Sequence, residues 1–386
     1  MNSWPHFSKE EIQKSSDILR SGKINYWTGN EGKEFEKEFS SYVGVNHSVV
    51  VDNGTSALIL AAHSLGISKG DEVIMSPRTF VASAFSIMVL GARPVFVDID
   101  RDTQNIDPSL IEAAITPKTK AIMAIHLAGW PCEMNKIQEI CKEYNLYLIE
   151  DCAQAHGAKY NGQSVGSFGD INGWSFCQDK IMSTAGEGGM ITTNNKDLWE
   201  KVWSFKDHGK NYDTVYHKEH PPGFRWLHEN VGTNLRLTEI QSAIGRLQLR
   251  KLDQWIEKRR AFAEIFNDGF NELDGLRITL PPKHIKHAYY KYYVFVDNHK
   301  LQKDKGRDFI MNELNKMNIP CFSGSCSEIY KEKAFKQLFP KGHSTLEVAK
   351  ELSETSLMFL VHPTLNNEDI YKIVNQTTDI VKLSSR

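Results

Sequence analysis

The chain lacks any run of about 18 apolar residues, so no membrane-spanning helix is expected in it. Its opening, MNSWPHFSKEE, has no basic segment leading into an apolar one, and no signal peptide is expected there. No long Lys/Arg stripe is present and the net charge is only −2, which gives no basis for nucleic-acid binding. The basic run 258–260 is short, lies in a helical pattern and reads as a solvated face. Six cysteines (132, 141, 152, 177, 321 and 326) are scattered along the chain. Cys321 and Cys326 lie close together but have no second pair at zinc-ligand spacing. All six read as reduced thiols, which suits a cytoplasmic protein, and no metal site is expected.

What is present is an ordinary globular composition, 40% apolar and 24% charged, over 386 residues. That length accommodates a large domain, read as 23–250, and a smaller one made from 1–22 and 251–386. Ser8 and Glu11 have the spacing of a capping box, with Ile12, Ile18 and Leu19 as the apolar face of the helix that follows. From residue 48 the pattern alternates. SVVVDN, DEVIM, PVFVDI, KAIMAIHL and LYLIED read as strands. TSALILAAHSL, FVASAFSIMVL, PSLIEAAI and EMNKIQEICKEY read as the helices between them. Two more strands are read at INGWSF and GMITT. Short apolar strands alternating with amphipathic helices define an α/β fold with a mostly parallel central sheet covered on both faces.

The polar stretch 206–234 is too long for an ordinary connection, so it is a functional loop or a hairpin. LTEIQSAIGRLQLRKLDQWIEKRRAFAEIFNDGF then reads as one long helix entering a smaller α+β C-terminal domain. There HAYYKYYVFVD is read as a strand, DFIMNELNKM as a helix, and a last helix follows Leu365.

In an open parallel sheet, ligands bind beyond the carboxyl ends of the strands. Gly54, Thr55 and Ser56 follow the first strand at a helix N-terminus, an arrangement suited to a phosphate; its plainer reading is an N-cap. Asp151 ends another strand, where a carboxylate could hold a protonated ring nitrogen or merely cap a helix. Lys180 lies on a loop with Gly186–Gly189 behind it. Partial burial there would make its amine a nucleophile, whereas most lysines are simply solvated. Together the three groups match what pyridoxal 5'-phosphate (PLP) requires: a phosphate cradle, a ring-nitrogen acid and a Schiff-base lysine.

The segments NGTSAL, EDCAQAHGA, VGSFGDINGWSF…K…GEGGM and GTNLRLTEIQSAIG resemble the DegT/DnrJ/EryC1/StrS family of sugar aminotransferases. The resemblance runs from about residue 20 to the C-terminus and is densest over 48–250. It implies an aspartate-aminotransferase-like fold type I and PLP as cofactor. It further implies that Lys180 forms the internal aldimine and shuttles the proton, and that Asp151 pairs with the pyridine nitrogen. Gln154 would lie by the ring and its phenolic oxygen, with Phe80 stacked on the opposite face. Gly54, Thr55, Ser56 and Ser175 would bind the phosphate. Asn234 would reach the phosphate of a neighbouring subunit, which makes the expected assembly a homodimer with shared active sites. Taken singly, Phe80 could be core, Asn234 a helix cap and Ser175 a plain strand-end hydroxyl. His156 reads as structural, and His208 and the His220–His228 run as pocket or surface.

The reaction so implied passes the amino group of L-glutamate to a keto sugar, a nucleotide-linked 4-keto or 3-keto hexose, in amino-sugar biosynthesis for surface polysaccharide such as lipopolysaccharide. Three rival readings stand beside it. One is an aminotransferase acting on an eight-carbon keto-sugar acid, an octulosonate without a nucleotide. The second, a related PLP-dependent dehydratase, carries His where Lys180 stands. The third, a non-catalytic PLP-binding regulator, would be expected to bring a DNA-binding segment. HPPGFRWLHEN and PCFSGSC map to no role by sequence.

Overall fold

The computed structural model describes residues 3–386. Seven strands form the main sheet in the order His47–Val51, Gly189–Thr193, Ile171–Ser175, Tyr147–Asp151, Thr119–Ile125, Glu72–Met75, Arg93–Phe96. Pairing is parallel from Ile171–Ser175 to Arg93–Phe96. Gly189–Thr193 runs against the others, pairing antiparallel with both of its neighbours. The strands read as unbroken apolar runs because both faces are covered. Val73 and Met75 pack into the core that holds Leu58 and Ala61 of helix Gly54–Ser64. Ile74, between them, faces Met134 and Ile137 of helix Met134–Tyr144 on the other side. Each such side chain contributes about 1.5–3 kcal/mol by leaving water.

A second, antiparallel sheet has the order Leu276–Arg277, Tyr292–Val296, Ser356–Phe359, Cys321–Phe322. It shares a core with Phe262, Phe266 and Phe270 of helix Leu252–Phe270 and Ile373, Val374 and Val381 of helix Asn367–Ser384.

Several local expectations are corrected. PSLIEAAI forms two 3-10 turns, Pro108–Leu110 and Glu112–Ala114, and not an α-helix. A segment this short, with Pro117 just beyond it, gains too few hydrogen bonds to offset nucleation. The long C-terminal helix is two, Glu239–Leu249 and Leu252–Phe270. At the join the Lys251 amide bonds to Gln248, three residues back, and its ammonium reaches Ser8 and buried Glu11. The capping box of helix Lys9–Ser21 is present. Its inward face, however, runs through Glu11 and Ile18, while Ile12 and Leu19 are each 59% exposed in the single chain. Arg259 of the basic run is buried, its guanidinium donating to the carbonyls of Tyr289 and Tyr290. The strand read over HAYYKYYVFVD begins only at Tyr292. Before it, Tyr289 takes a left-handed φ of 47°, a costly conformation for a bulky residue.

Of the two expectations for the stretch 206–234, the hairpin is the one its backbone bears out. Antiparallel bridges at Asp207–Asn234 and Lys210–His228 close it like a hairpin, and a short helix, Tyr212–Tyr216, sits within.

Candidate active site

The C-terminal ends of the central strands open into a cavity of about 870 Å³. Gly54, Thr55, Ser56, Phe80, Asp151, Gln154, Ser175 and Lys180 all line it. Asn53, not one of the three residues after it, caps the helix Gly54–Ser64, its side chain accepting from the Ser56 amide at 2.8 Å. The Gly54 and Thr55 amides, ahead of the capped one, have no carbonyl of their own helix to bond and are left as donors at the cavity wall. A Cβ at position 54 would stand 2.5 Å from the Ser175 Cβ. Glycine therefore lets the helix start come down onto the end of strand Ile171–Ser175, which sets the Ser175 hydroxyl beside those amides.

Asp151 is 5% exposed at the end of its strand. One carboxylate oxygen accepts from Ser83 Oγ at 2.7 Å and the other from the Ala153 amide at 3.1 Å. Gln154 is turned by its own bond, Oε1 accepting from the Ala128 amide at 2.8 Å. Phe80 is 67% exposed, which rules out a core role; its ring is free to cover a ligand. The Lys180 side chain is 15% exposed. Its carbonyl accepts from Trp4 Nε1 at 2.8 Å, so the N-terminal segment braces the lysine loop.

Asn234 is not brought to this cavity; it is exposed on the 206–234 segment. The loop histidines do not line it either. His156 is buried between Trp174 and Phe176, and burial pushes its imidazole down to about 3, followed in effect by Lys180, so it is a neutral core group. His126, Glu150 and Cys152 lie close enough together to invite a metal. Structural bonds already occupy that carboxylate: Glu150 accepts from the amides of Gly166, Phe168 and Gly169, each at 2.8 Å, and pairs with His126 at 2.9 Å.

Sequence reasoning missed the wall opposite Asp151. Tyr290, Lys291, Tyr293, Gly324 and Ser325 line the cavity from the second sheet and its loops. Tyr290 donates to Asp179, and its ring lies 5.1 Å from Lys180 Nζ and 4.6 Å from Lys291 Nζ. Burial works to raise the Asp179 carboxyl, but Lys180, the Tyr290 hydroxyl and Lys291 together bring it below its ordinary value. Burial pushes the Lys291 ammonium down to about 8. The unmapped motif PCFSGSC was the available signal for Gly324 and Ser325; nothing in the chain's spacing marks Lys291.

The donor set fits PLP. One cavity holds a primary amine, a buried carboxylate, an amide side chain and a helix N-terminus against a close-packed strand end, with a free aromatic ring at its rim. These are the groups that a phosphorylated pyridinium aldehyde requires.

The fold and this cavity define a fold-type I PLP enzyme. The chain belongs to the DegT/DnrJ/EryC1/StrS aminotransferase family, whose model matches residues 5–378. It is a PLP-dependent sugar aminotransferase. An aminotransferase from Psychrobacter cryohalolentis is 48% identical, superposes with a TM-score of 0.97, and is matched over 99% of both chains. GDP-perosamine synthase of Escherichia coli O157:H7 is 36% identical over 369 residues, 96% of this chain and 95% of that one. NtdA from Bacillus subtilis, solved with bound cofactor PMP, is 26% identical with a TM-score of 0.85, over 97% of this chain and 83% of that one.

Proposed function

We propose that the enzyme moves the amino group of L-glutamate to a keto sugar, a nucleotide-linked 4-keto or 3-keto hexose. The observation that carries this is the convergence of Lys180, Asp151 and the helix start at Gly54 on one cavity roomy enough for cofactor and sugar together. Similarity to a GDP-perosamine synthase supports the nucleotide-linked acceptor.

When bound, PLP supplies an electron sink for the carbanion at the reacting carbon. The chain does the rest. Lys180 holds the cofactor aldehyde through its amine and carries a proton to and from the substrate carbon. Asp151, fixed by Ser83, keeps the ring nitrogen protonated. Gly54, Thr55, Ser56 and Ser175 would hold the phosphate, Gln154 would orient the ring, and Phe80 would cover it. Glutamate leaves as 2-oxoglutarate, and the acceptor's C=O becomes CH–NH2.

Asn234 supports a homodimer. It lies outside its own cavity on a segment whose Phe224, Trp226 and Val231 are 75, 84 and 88% exposed, and it would reach the partner's phosphate. In this reading 23–250 forms the large domain, with 1–22 and 251–386 the small one, and the enzyme works in the cytoplasm. The test is to add glutamate to the purified yellow holoenzyme, follow the visible band, and screen keto sugars by mass spectrometry of the aminated product. A band that does not respond to glutamate overturns the proposal.

A further inference from the structure

Among the described residues Lys291 lines the cavity with no close ion pair and no hydrogen bond; it contacts the Tyr290 ring and feels the Asp179 carboxylate only at longer range. The structure fixes the position of this lysine without neutralising it. Buried Arg259 donates to the Tyr289 carbonyl at 3.3 Å and the Tyr290 carbonyl at 3.1 Å, holding the irregular backbone that leads into Lys291. Asp179, the acid of this corner, is already engaged by the Tyr290 hydroxyl and by Lys180 at 3.9 Å. Burial draws the Lys291 ammonium below its usual range; Asp179 opposes that fall, and Arg259 and Lys180 add to it. Next to it, the Ser325 amide donates to the Tyr293 hydroxyl at 3.0 Å. Gly324, at φ +85°, has no room for a Cβ against the Tyr293 ring, so the loop is pressed onto this wall.

We propose that Lys291 is the carboxylate anchor of the active site, gripping an acidic group of the substrate while the reacting carbon sits at Lys180. The inference rests on the aminotransferase reading and names the group within it that selects substrates. A partly desolvated cation whose nearest acid is shared with Tyr290 and Lys180 is costly to keep, and an incoming carboxylate offsets that cost while gaining a charge-assisted hydrogen bond. Both ammonium groups contact the one Tyr290 ring, so their separation cannot exceed the sum of the two ring distances. An acid group on the substrate, whether of the dicarboxylate donor L-glutamate or of a keto-sugar acid acceptor, is therefore within reach of Lys291 while the reacting carbon sits at Lys180.

The test compares Lys291→Met and Lys291→Arg with the wild-type holoenzyme. Retention of the cofactor's visible band shows that each variant is folded and loaded. Calorimetric titration with glutarate, a dicarboxylate that cannot react, should weaken about tenfold or more in Lys291→Met and largely recover in Lys291→Arg. Single-turnover measurements then separate the sources. One arm mixes the PLP-loaded enzyme with glutamate; the other mixes the PMP-loaded enzyme with a keto-sugar acid and with its uncharged analogue. A raised half-saturation for glutamate alone assigns the anchor to the donor. One confined to the sugar acid assigns it to the acceptor, and both together assign it to a shared role. Glutarate binding and both half-reactions unchanged in Lys291→Met would overturn the anchor. A wild-type enzyme that ignores glutamate would sink the aminotransferase reading, while the glutarate titration still judges Lys291 by itself.

Discussion

Ser83 donates its hydroxyl hydrogen to Asp151 Oδ2 at 2.7 Å, and Thr79 Oγ1 lies 2.8 Å from Ser83 Oγ. All three groups are buried at the cavity wall. The carboxylate proposed to face the ring nitrogen is thus aimed by hydroxyls from the segment before and within helix Ala82–Met88. A hydrogen bond to a buried charge contributes about 1.5–3 kcal/mol. Ser83→Ala is expected to lower kcat about tenfold or more, to alter the cofactor's visible band, and to be rescued by Ser83→Thr. Steady-state rates and absorption spectra check this, and a spectrum and rate identical to wild type would remove Asp151 positioning from the account.

Lys180→Ala should abolish transamination while leaving phosphate binding largely intact, because the helix start at Gly54 and Ser175 do not depend on the amine. The measurement is cofactor retention by equilibrium dialysis beside the glutamate assay. Retained turnover in this variant would contradict the assigned role.

Arg78 is fully buried and donates to Gln104 at 2.9 Å, to Ser327, and to Ser356 at 3.1 Å, with no carboxylate among these partners. Burial pushes its guanidinium down to about 10. It ties the cavity segment Ser76–Phe80 to the second sheet and its loop. Arg78→Ala leaves a void and unpaired polar groups, and is expected to cost about 3 kcal/mol or more. Urea unfolding monitored in parallel with wild type gives the difference directly.

His156 and His287 are buried, and burial holds both imidazoles at about 3. In the unfolded chain each takes up a proton as pH falls through about 6.5, while the native state does not. Both side chains therefore leave stability untouched above that pH and draw it down progressively between about 6.5 and 3. Unfolding free energy should fall by roughly 1.4 kcal/mol per pH unit for each of them in that window. His156→Asn should flatten the slope measured between pH 7 and pH 5, and an unchanged slope would contradict the burial argument.

Much of the cavity was legible in the chain because its parts are local. A strand followed by Gly54-Thr55-Ser56, a strand ending at Asp151 and a loop carrying Lys180 are each set by patterns a few residues long, and the parallel sheet brings their ends to one edge. Failures of the reading fall where distant packing outweighs local preference. The run 258–260 looked like a solvated face, yet Arg259 turns inward because the Tyr289 and Tyr290 carbonyls need a donor. Ile12 and Leu19 looked like a core face, yet the helix turns on Glu11, which pairs with Lys251 across the join of two later helices.

By itself the sequence determined the alternation of strand and helix, the family motifs and the three groups proposed to hold the cofactor, since these rest on periodicity and on turn and cap chemistry within short windows. Only the tertiary structure decided the opposite wall: that Tyr290, Lys291 and Ser325 share one cavity with Lys180, and that Arg78 joins the two sheets. Residues more than a hundred positions apart become neighbours only when the sheets pack, and nothing in their local spacing encodes that meeting.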